Sequence, residues 1–299
     1  MKRARVVAAA AAVLSLFILP AQGQQAAVPC EACIEWNRPQ APFQIFANTY
    51  YVGTRGLSAI LITSEAGHVL IDGALPESAA AIASNVRALG FKVEDIRLIL
   101  NSHAHFDHAG GIAELQRMSG AAIAATPWSA SVLTSGDVPP SDPQFGVVPL
   151  MAPAKNARTV SNGEVVRVGP LSLTAHETPG HTPGGTSWTW STCSGADCAN
   201  FVYADSLSAV SRDGFLFSRN KEYPNALADF ERSFKTLESI PCGILLTPHP
   251  EASGLWQRVE RRAAGEGPGA MIDPTACRRY VDGARERLQK RLNAETTAP

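Results

Sequence analysis

The chain has 299 residues, 45% hydrophobic and 18% charged, with 26 Lys and Arg against 27 Asp and Glu, a formal net charge of −1. That balance excludes intrinsic disorder, which needs few apolar residues and a high net charge. It also argues against nucleic acid as a partner, because phosphate recognition needs a clustered basic surface and the sequence has no long run of Lys and Arg.

Lys2, Arg3 and Arg5 precede an apolar run over residues 6–19, and Pro20 with Ala21-Gln22-Gly23 resembles a small-x-small cleavage site. This is the pattern of a secretory signal peptide, and the run is short for a membrane span. The expectation is a leader over residues 1–23, a single domain over residues 24–299, and export into a periplasm. Loss of the three basic residues leaves 23 basic against 27 acidic, a mature charge of −4. No second apolar segment is long enough to span, so the mature chain is expected to be free of the membrane.

In an oxidising compartment six cysteines suggest disulfides. Cys30/Cys33, Cys193/Cys198 and Cys242/Cys277 are one set among the many connectivities that six cysteines allow. Cys30-x-x-Cys33 sits beside Pro29 in an irregular stretch, which favours a local structural bridge over a redox motif. A zinc ribbon would need a second matching pair, and Cys193 and Cys198 have the wrong spacing for one.

Short apolar runs rich in branched and aromatic residues predict strands over 49–52, 57–63, 69–72, 96–100, 121–125, 165–168, 171–175, 186–190, 201–204 and 244–247. Helical stripes lie between and after them. They are Ala79, Ile82, Val86 and Leu89, stopped at Gly90; Ile112, Leu115 and Met118, stopped at Gly120; Leu227, Phe230, Phe234 and Leu237; and Cys277, Val281, Ala284 and Leu288. Hairpin-like strands mixed with helices imply an α/β sandwich with the helices outside. Residues 135–156 are rich in Pro, Gly, Ser and Asp and read as a long loop, a class of segment that is either plain surface or functional.

The strongest signal is Asn101-Ser-His103-Ala-His105-Phe-Asp107-His108, placed after the strand at 96–100 and before the helix that carries Ile112. Three imidazoles and a carboxylate this close together suit zinc, whose usual ligands are neutral imidazole and carboxylate. In an extended segment His103 and His105 point the same way and can share one metal, while Asp107 and His108 lie past the turn and can serve a second. His181, in Thr178-Pro-Gly-His-Thr-Pro-Gly-Gly185, and His249, in Thr247-Pro-His-Pro250, sit on rigid loops at strand ends. His68 reads as an exposed edge residue, and His176 as a core or surface histidine.

These ordered motifs, with Tyr203-Ala-Asp-Ser-Leu-Ser208 and Leu245-Leu-Thr-Pro-His-Pro250, resemble those of the metallo-β-lactamase superfamily over nearly the whole mature chain. More narrowly they resemble the third, His-rich subclass of class B β-lactamases. The other subclasses place a Cys ligand where this chain has Ser206. The resemblance implies a four-layer αββα sandwich with two Zn2+ at one edge. The first zinc would be held by His103, His105 and His181, and the second by Asp107, His108 and His249. It also implies a Cys242–Cys277 bridge and hydrolysis of β-lactam antibiotics, carbapenems included, by a zinc-activated hydroxide that Asp107 orients. Ser206 and Ser208 would receive the substrate carboxylate, and a monomer acting on a small molecule is expected. The Ser-x-x-Lys of a serine β-lactamase is absent.

Trp36, Phe145, Met151 and Phe215 are candidates for an apolar groove, each also readable as ordinary packing. Two other functions fit parts of the pattern. In a thioesterase or lactonase of the same superfamily an acidic residue bridges both metals, and Asp205 stands in a similar Asp-Ser-Leu segment. A zinc-binding protein without catalysis would need no open metal position.

Overall fold

A computed structural model of the protein describes Met1 and residues 30–297. The expected leader lies outside the described residues apart from Met1. After a short helix α1 (Ala32–Trp36), the first sheet runs in chain order: β1 (Phe43–Phe46), β2 (Thr49–Tyr51), β3 (Ile60–Ile62), β4 (His68–Ile71), β5 (Ile96–Leu100), β6 (Ala122–Ala125) and β7 (Ala157–Thr159). Strands β1 to β4 are antiparallel, and β4 to β7 are parallel. Parallel neighbours need crossovers. These are α2 (Ala79–Ala88) before β5, α3 (Phe106–Ala109) and α4 (Ile112–Ser119) before β6, and α5 (Pro127–Ser135) before β7.

The second sheet holds β8 (Val165–Val168), β9 (Leu171–Glu177), β10 (Thr186–Ser194) and β11 (Asp197–Tyr203) as an antiparallel meander. The chain then crosses over through α6 (Ala226–Ser239) to β12 (Ile244–Leu246), which joins β11 in parallel. Helices α7 (Leu255–Arg261) and α8 (Ala276–Thr297) close the chain.

Side-chain parity assigns the layers. In β3, Ile60 and Ile62 face the second sheet while Leu61 faces the helices outside. In β11, Phe201 and Tyr203 face inward and Val202 outward; β12 repeats this with Ile244 and Leu246 against Leu245. A continuous apolar core between the sheets includes Val69, Leu98, Leu100, Leu173, Trp188 and Trp190. Ile82, Val86, Ile112 and Leu115 cover the first sheet. Phe230, Phe234, Val281, Ala284 and Leu288 cover the second. This is the four-layer αββα sandwich.

All ten expected strands are present with small shifts at their ends, and all four stripes face a core. Strands β1 and β7 carry no clear signal, being short edge strands, the second reading Ala-Arg-Thr with its side chains largely exposed. Helix α5 takes up Ser135, so the long loop starts at Gly136. His68 departs from expectation: it lies in the interior strand β4, 6% exposed, edge-on to Phe91 with ring centroids 5.2 Å apart. Met151 and Phe215 are 8% and 1% exposed and belong to the outer helix-covered cores, so they line no groove. The three cysteine pairs are Cys30–Cys33, Cys193–Cys198 and Cys242–Cys277.

Trp188 joins the core to the site, since it is fully buried and its Nε1–H donates to the Asn101 carbonyl at 3.0 Å. Trp188→Phe keeps most of the apolar volume but strands that buried carbonyl, a loss of about 1–3 kcal/mol. Chemical denaturation should show this as a lower midpoint with an unchanged slope; an unchanged midpoint would remove the hydrogen bond from the account.

Candidate metal centre

The parallel strands β5 and β12, the end of β11 and the β9–β10 turn all finish at one edge of the sandwich, where loops can converge. Asp72, at the end of β4, fixes this edge. It adopts a φ of 62°, which Asp tolerates better than most residues. Its buried carboxylate accepts from Asn101 Nδ2 at 3.0 Å, the Ser102 amide at 2.8 Å, Ser102 Oγ at 2.7 Å and the Tyr203 hydroxyl at 2.7 Å. Asn101 Nδ2 also donates to the His103 carbonyl at 2.8 Å, and the Thr186 amide to the Ser102 carbonyl at 2.8 Å. The histidine loop is thus held by both sheets.

His103 and His105 lie on the extended entry to α3, and Asp107 and His108 on α3 itself. His181 rides the β9–β10 turn, closed by the Thr178 amide on the Gly185 carbonyl at 2.8 Å and by Ser233 Oγ on the Pro179 carbonyl at 2.6 Å. Gly180 takes a φ of 139°, open to glycine. Gly185 has no room for a side chain, because a Cβ would come within 2.4 Å of Asp205 Oδ2. His249 follows β12, where Ser58 donates through its amide to the Pro248 carbonyl at 2.8 Å and through Oγ to the Thr247 carbonyl at 2.7 Å. Trp36 packs on the His249 ring at 5.0 Å.

These segments bring five imidazoles together. Ring centroids are 4.9 Å apart for His103 and His105, 4.7 Å for His103 and His181, 5.0 Å for His105 and His181, 4.5 Å for His103 and His108, and 4.7 Å for His108 and His249. Donor atoms of His103, His105 and His181 lie within 4.8 Å of one another, as do those of His103, Asp107 and His108. Asp107 Oδ2 is 3.1 Å from His108 Nε2 and 3.3 Å from His249 Nε2. His176, by contrast, stays away from the cluster on β9, with Nε2 2.8 Å from Thr189 Oγ1.

The far nitrogens of the first three histidines each meet an oxygen. His103 Nδ1 is 2.7 Å from Asp205 Oδ1, His105 Nε2 is 3.1 Å from both oxygens of Asp142, and His181 Nδ1 is 2.8 Å from the Ser208 carbonyl and 3.1 Å from its Oγ. Gln144 Nε2 is 3.3 Å from His105 Nδ1. Ser206 is 8% exposed and follows Asp205 directly. Asp142 and Gln144 come from the long loop, and Asp72 from a strand end; lone acidic residues without a motif gave the sequence no means of finding Asp72 or Asp142. Asp205 stands behind His103 rather than between the two donor groups.

Charge and burial fit a cation. Burial, reinforced by the neighbouring imidazoles, holds His103 well below its usual pKa; burial with His105 takes His181 down to about 3. Burial opposes ionisation of Asp107, but His108 and His249 outweigh it and hold the carboxyl well below its usual range. Burial also opposes charge on His105, yet the Asp142 carboxylate prevails and raises its pKa. Burial pushes Asp205 well above the carboxylate range, and the Asp72 charge adds to this. Among the described residues, no Lys or Arg pairs with the carboxylates of Asp72, Asp107, Asp142 or Asp205. The Nε2 of His103 is buried with no hydrogen-bond partner. Buried carboxylates need compensating positive charge, and buried imidazole nitrogens without partners are the donors that zinc takes.

A cluster of His and Asp donors on loops at one edge of an αββα sandwich defines a metallohydrolase centre. The chain belongs to the metallo-beta-lactamase superfamily, whose family model matches residues 52–268. Among solved structures it is 58% identical to the Rm3 metallo-beta-lactamase, over 90% of this chain and 100% of that one, with a TM-score of 0.88. It is 54% identical to MEM-A1, a subclass B3 metallo-beta-lactamase from a soil metagenome library, over 87% and 98%, with a TM-score of 0.86. It is 40% identical to MIM-1 from Novosphingobium pentaromativorans, over 91% and 98%, with a TM-score of 0.81. These neighbours bear out the resemblance to the third subclass. Curated relatives match over less. The uncharacterized protein YobT of Bacillus subtilis is 32% identical over 47% of this chain and 59% of its own, so this chain spans under two thirds of it. A hydroxyacylglutathione hydrolase of Rhodopseudomonas palustris (strain HaA2) is 26% identical over 67% and 70%.

The geometry separates two roles for Asp205. As the partner of His103 Nδ1 it would orient a metal donor, and Asp205→Asn should leave the number of bound metal ions unchanged while weakening affinity by about 10–100-fold. Elemental analysis and competition titration of the folded variant test this. Loss of an ion at saturating metal would make Asp205 a ligand.

Proposed function

We propose that the protein hydrolyses the amide bond of β-lactam antibiotics, carbapenems included, and so confers resistance. The observation that carries this reading is the convergence of six donors, with Asp205 turned to His103 and Ser206 in the position where other subclasses carry a cysteine. Identity of 40–58% to solved metallo-beta-lactamases over most of the chain supports it. Two Zn2+ are assigned, one to His103, His105 and His181 and one to Asp107, His108 and His249. When bound, such ions supply an activated water at neutral pH and a Lewis acid toward the carbonyl oxygen.

The chain's own residues do the rest. Oxygens of Asp205, Asp142 and Ser208 hold a proton on the far nitrogen of His103, His105 and His181, which leaves the opposite nitrogen of each as a lone-pair donor. Asp107 Oδ2 lies between His108 and His249, and the other oxygen of Asp107 would accept a hydrogen bond from the attacking water and align it. Ser206 and Ser208 receive the substrate carboxylate through their hydroxyls. The side chain of His249 is 34% exposed, so the centre opens to solvent on that side. Export fits this role, and among the described residues no helix is long and apolar enough to cross a membrane. Similarity to hydroxyacylglutathione hydrolases leaves a thioester as the competing substrate.

Turnover of a carbapenem, a thioester and a lactone, each with and without chelator, tests the reading. Chelator-sensitive carbapenem hydrolysis is expected, and thioester turnover alone would assign the chain to the other branch. His249→Ala should fold but lose affinity for one of two ions; a variant keeping both ions and full turnover would remove His249 from the ligand set. Ser206→Ala loses about one hydrogen bond, ~0.5–1.5 kcal/mol, and should raise KM more than it lowers kcat. Steady-state kinetics with unchanged KM would free Ser206 of this role.

A further inference from the structure

Arg212 lies in the connection between β11 and α6, outside every motif of the sequence. Its Nη1 donates to the Asp142 carbonyl at 2.6 Å, its Nη2 to the Pro140 carbonyl at 3.5 Å, and its backbone amide to the Pro143 carbonyl at 2.8 Å. The same Nη2 pairs with Glu222 at 2.7 Å, and the guanidinium lies over the rings of Phe145 and Phe215 at 5.6 Å and 5.2 Å. One residue therefore fastens three carbonyls of the loop whose Asp142 carboxylate meets His105 Nε2.

Arg212 is itself anchored. Arg291 of α8 donates to Ser211 Oγ at 2.8 Å and to the Phe215 carbonyl at 2.6 Å, on either side of it. Glu295, one turn on, accepts from the Phe217 and Ser218 amides at 2.9 Å each. The segment carrying Arg212 is thus pinned to the last helix, while the loop it grips supplies the one carboxylate that orients His105. Asp142 sits on a loop without regular structure, and an orienting carboxylate works only if its own backbone is held.

We propose that Arg212 is a positioning residue for the metal centre: by fixing residues 140–143 it places the Asp142 carboxylate on His105 Nε2 and turns His105 Nδ1 into the site. This rests on the reading of His105 as a ligand. Arg212 makes no hydrogen bond to any of the six donor side chains and acts through Asp142. A planar guanidinium bonding two carbonyls and a carboxylate at once has no equivalent in lysine.

The test is a double-mutant cycle on zinc affinity, measured by competition with a chromophoric chelator, together with the histidine tautomers of the metal-free protein by long-range 1H–15N correlation at alkaline pH, where His105 is neutral. Arg212→Ala is expected to weaken one of the two ions by about 10–100-fold and to convert His105 from a single Nε2–H tautomer to a mixture. In an Asp142→Ala background, the Arg212 substitution should have no further effect on affinity. Arg212→Lys should recover part of the loss, and it carries the test if the alanine variant does not fold. Glu222→Gln, which leaves the three loop contacts in place, should bind zinc like the wild type. Additive losses across the cycle, or an unaltered tautomer in Arg212→Ala, would overturn the proposal. Wild-type protein that binds two ions yet turns over no β-lactam would defeat the proposed substrate while leaving this cycle to judge Arg212.

Discussion

The edge that carries the histidines is organised around the buried carboxylate of Asp72. Four donors from two segments meet it: Asn101 and Ser102 at the end of β5, and Tyr203 at the end of β11. One of these segments belongs to the first sheet and the other to the second, so a single side chain registers the two sheets against each other just below the histidine cluster. Burial pushes the Asp72 carboxyl up, and the hydrogen bonds and the nearby His108 oppose this. A buried carboxylate is tolerated only when its lone pairs are used, and here each oxygen has partners.

The carboxylates then divide by what they touch. Asp72 holds backbone, Asp205 and Asp142 hold histidines from behind, and Asp107 alone lies among the donor nitrogens. Acidic side chains thereby surround a pocket of imidazoles that burial keeps neutral at His103 and His181. The arrangement favours a dication over a proton as the charge that completes the site, since one ion can satisfy several lone pairs that could not all be protonated together.

Much of this was legible in the sequence. Strand β5 showed because it is an apolar run, with Leu98 and Leu100 in the inner core and Ile96 and Ile99 in the outer one, and α8 showed because Cys277, Val281, Ala284 and Leu288 share a stripe. The histidines showed because a metal demands several donors, and donors supplied in pairs leave a spacing. Asp142, Asp72 and Arg212 left none. Each acts through a contact with a residue far away in sequence, and a single acidic or basic residue in a polar loop looks the same whether it is solvated or buried. Met151 and Phe215 failed as groove residues for the converse reason: an apolar residue in a loop-rich segment can turn inward and extend a core. His68 was misplaced because a polar residue at a strand start resembles an edge, whereas here strands flank β4 on both sides.

His103 lies in the first half of the chain and His249 close to its end, with His181 between them. The donors therefore come together only after β5, the β9–β10 turn and β12 have been brought to one edge, and β12 must first cross over α6 to lie beside β11. Closing contacts of such separation is the slow part of folding. A half-made chain offers an ion only the His103–His108 cluster, without the later histidines that complete either group. The full donor set therefore exists only once the two sheets are packed, so any ion held there would tie together segments far apart in the chain.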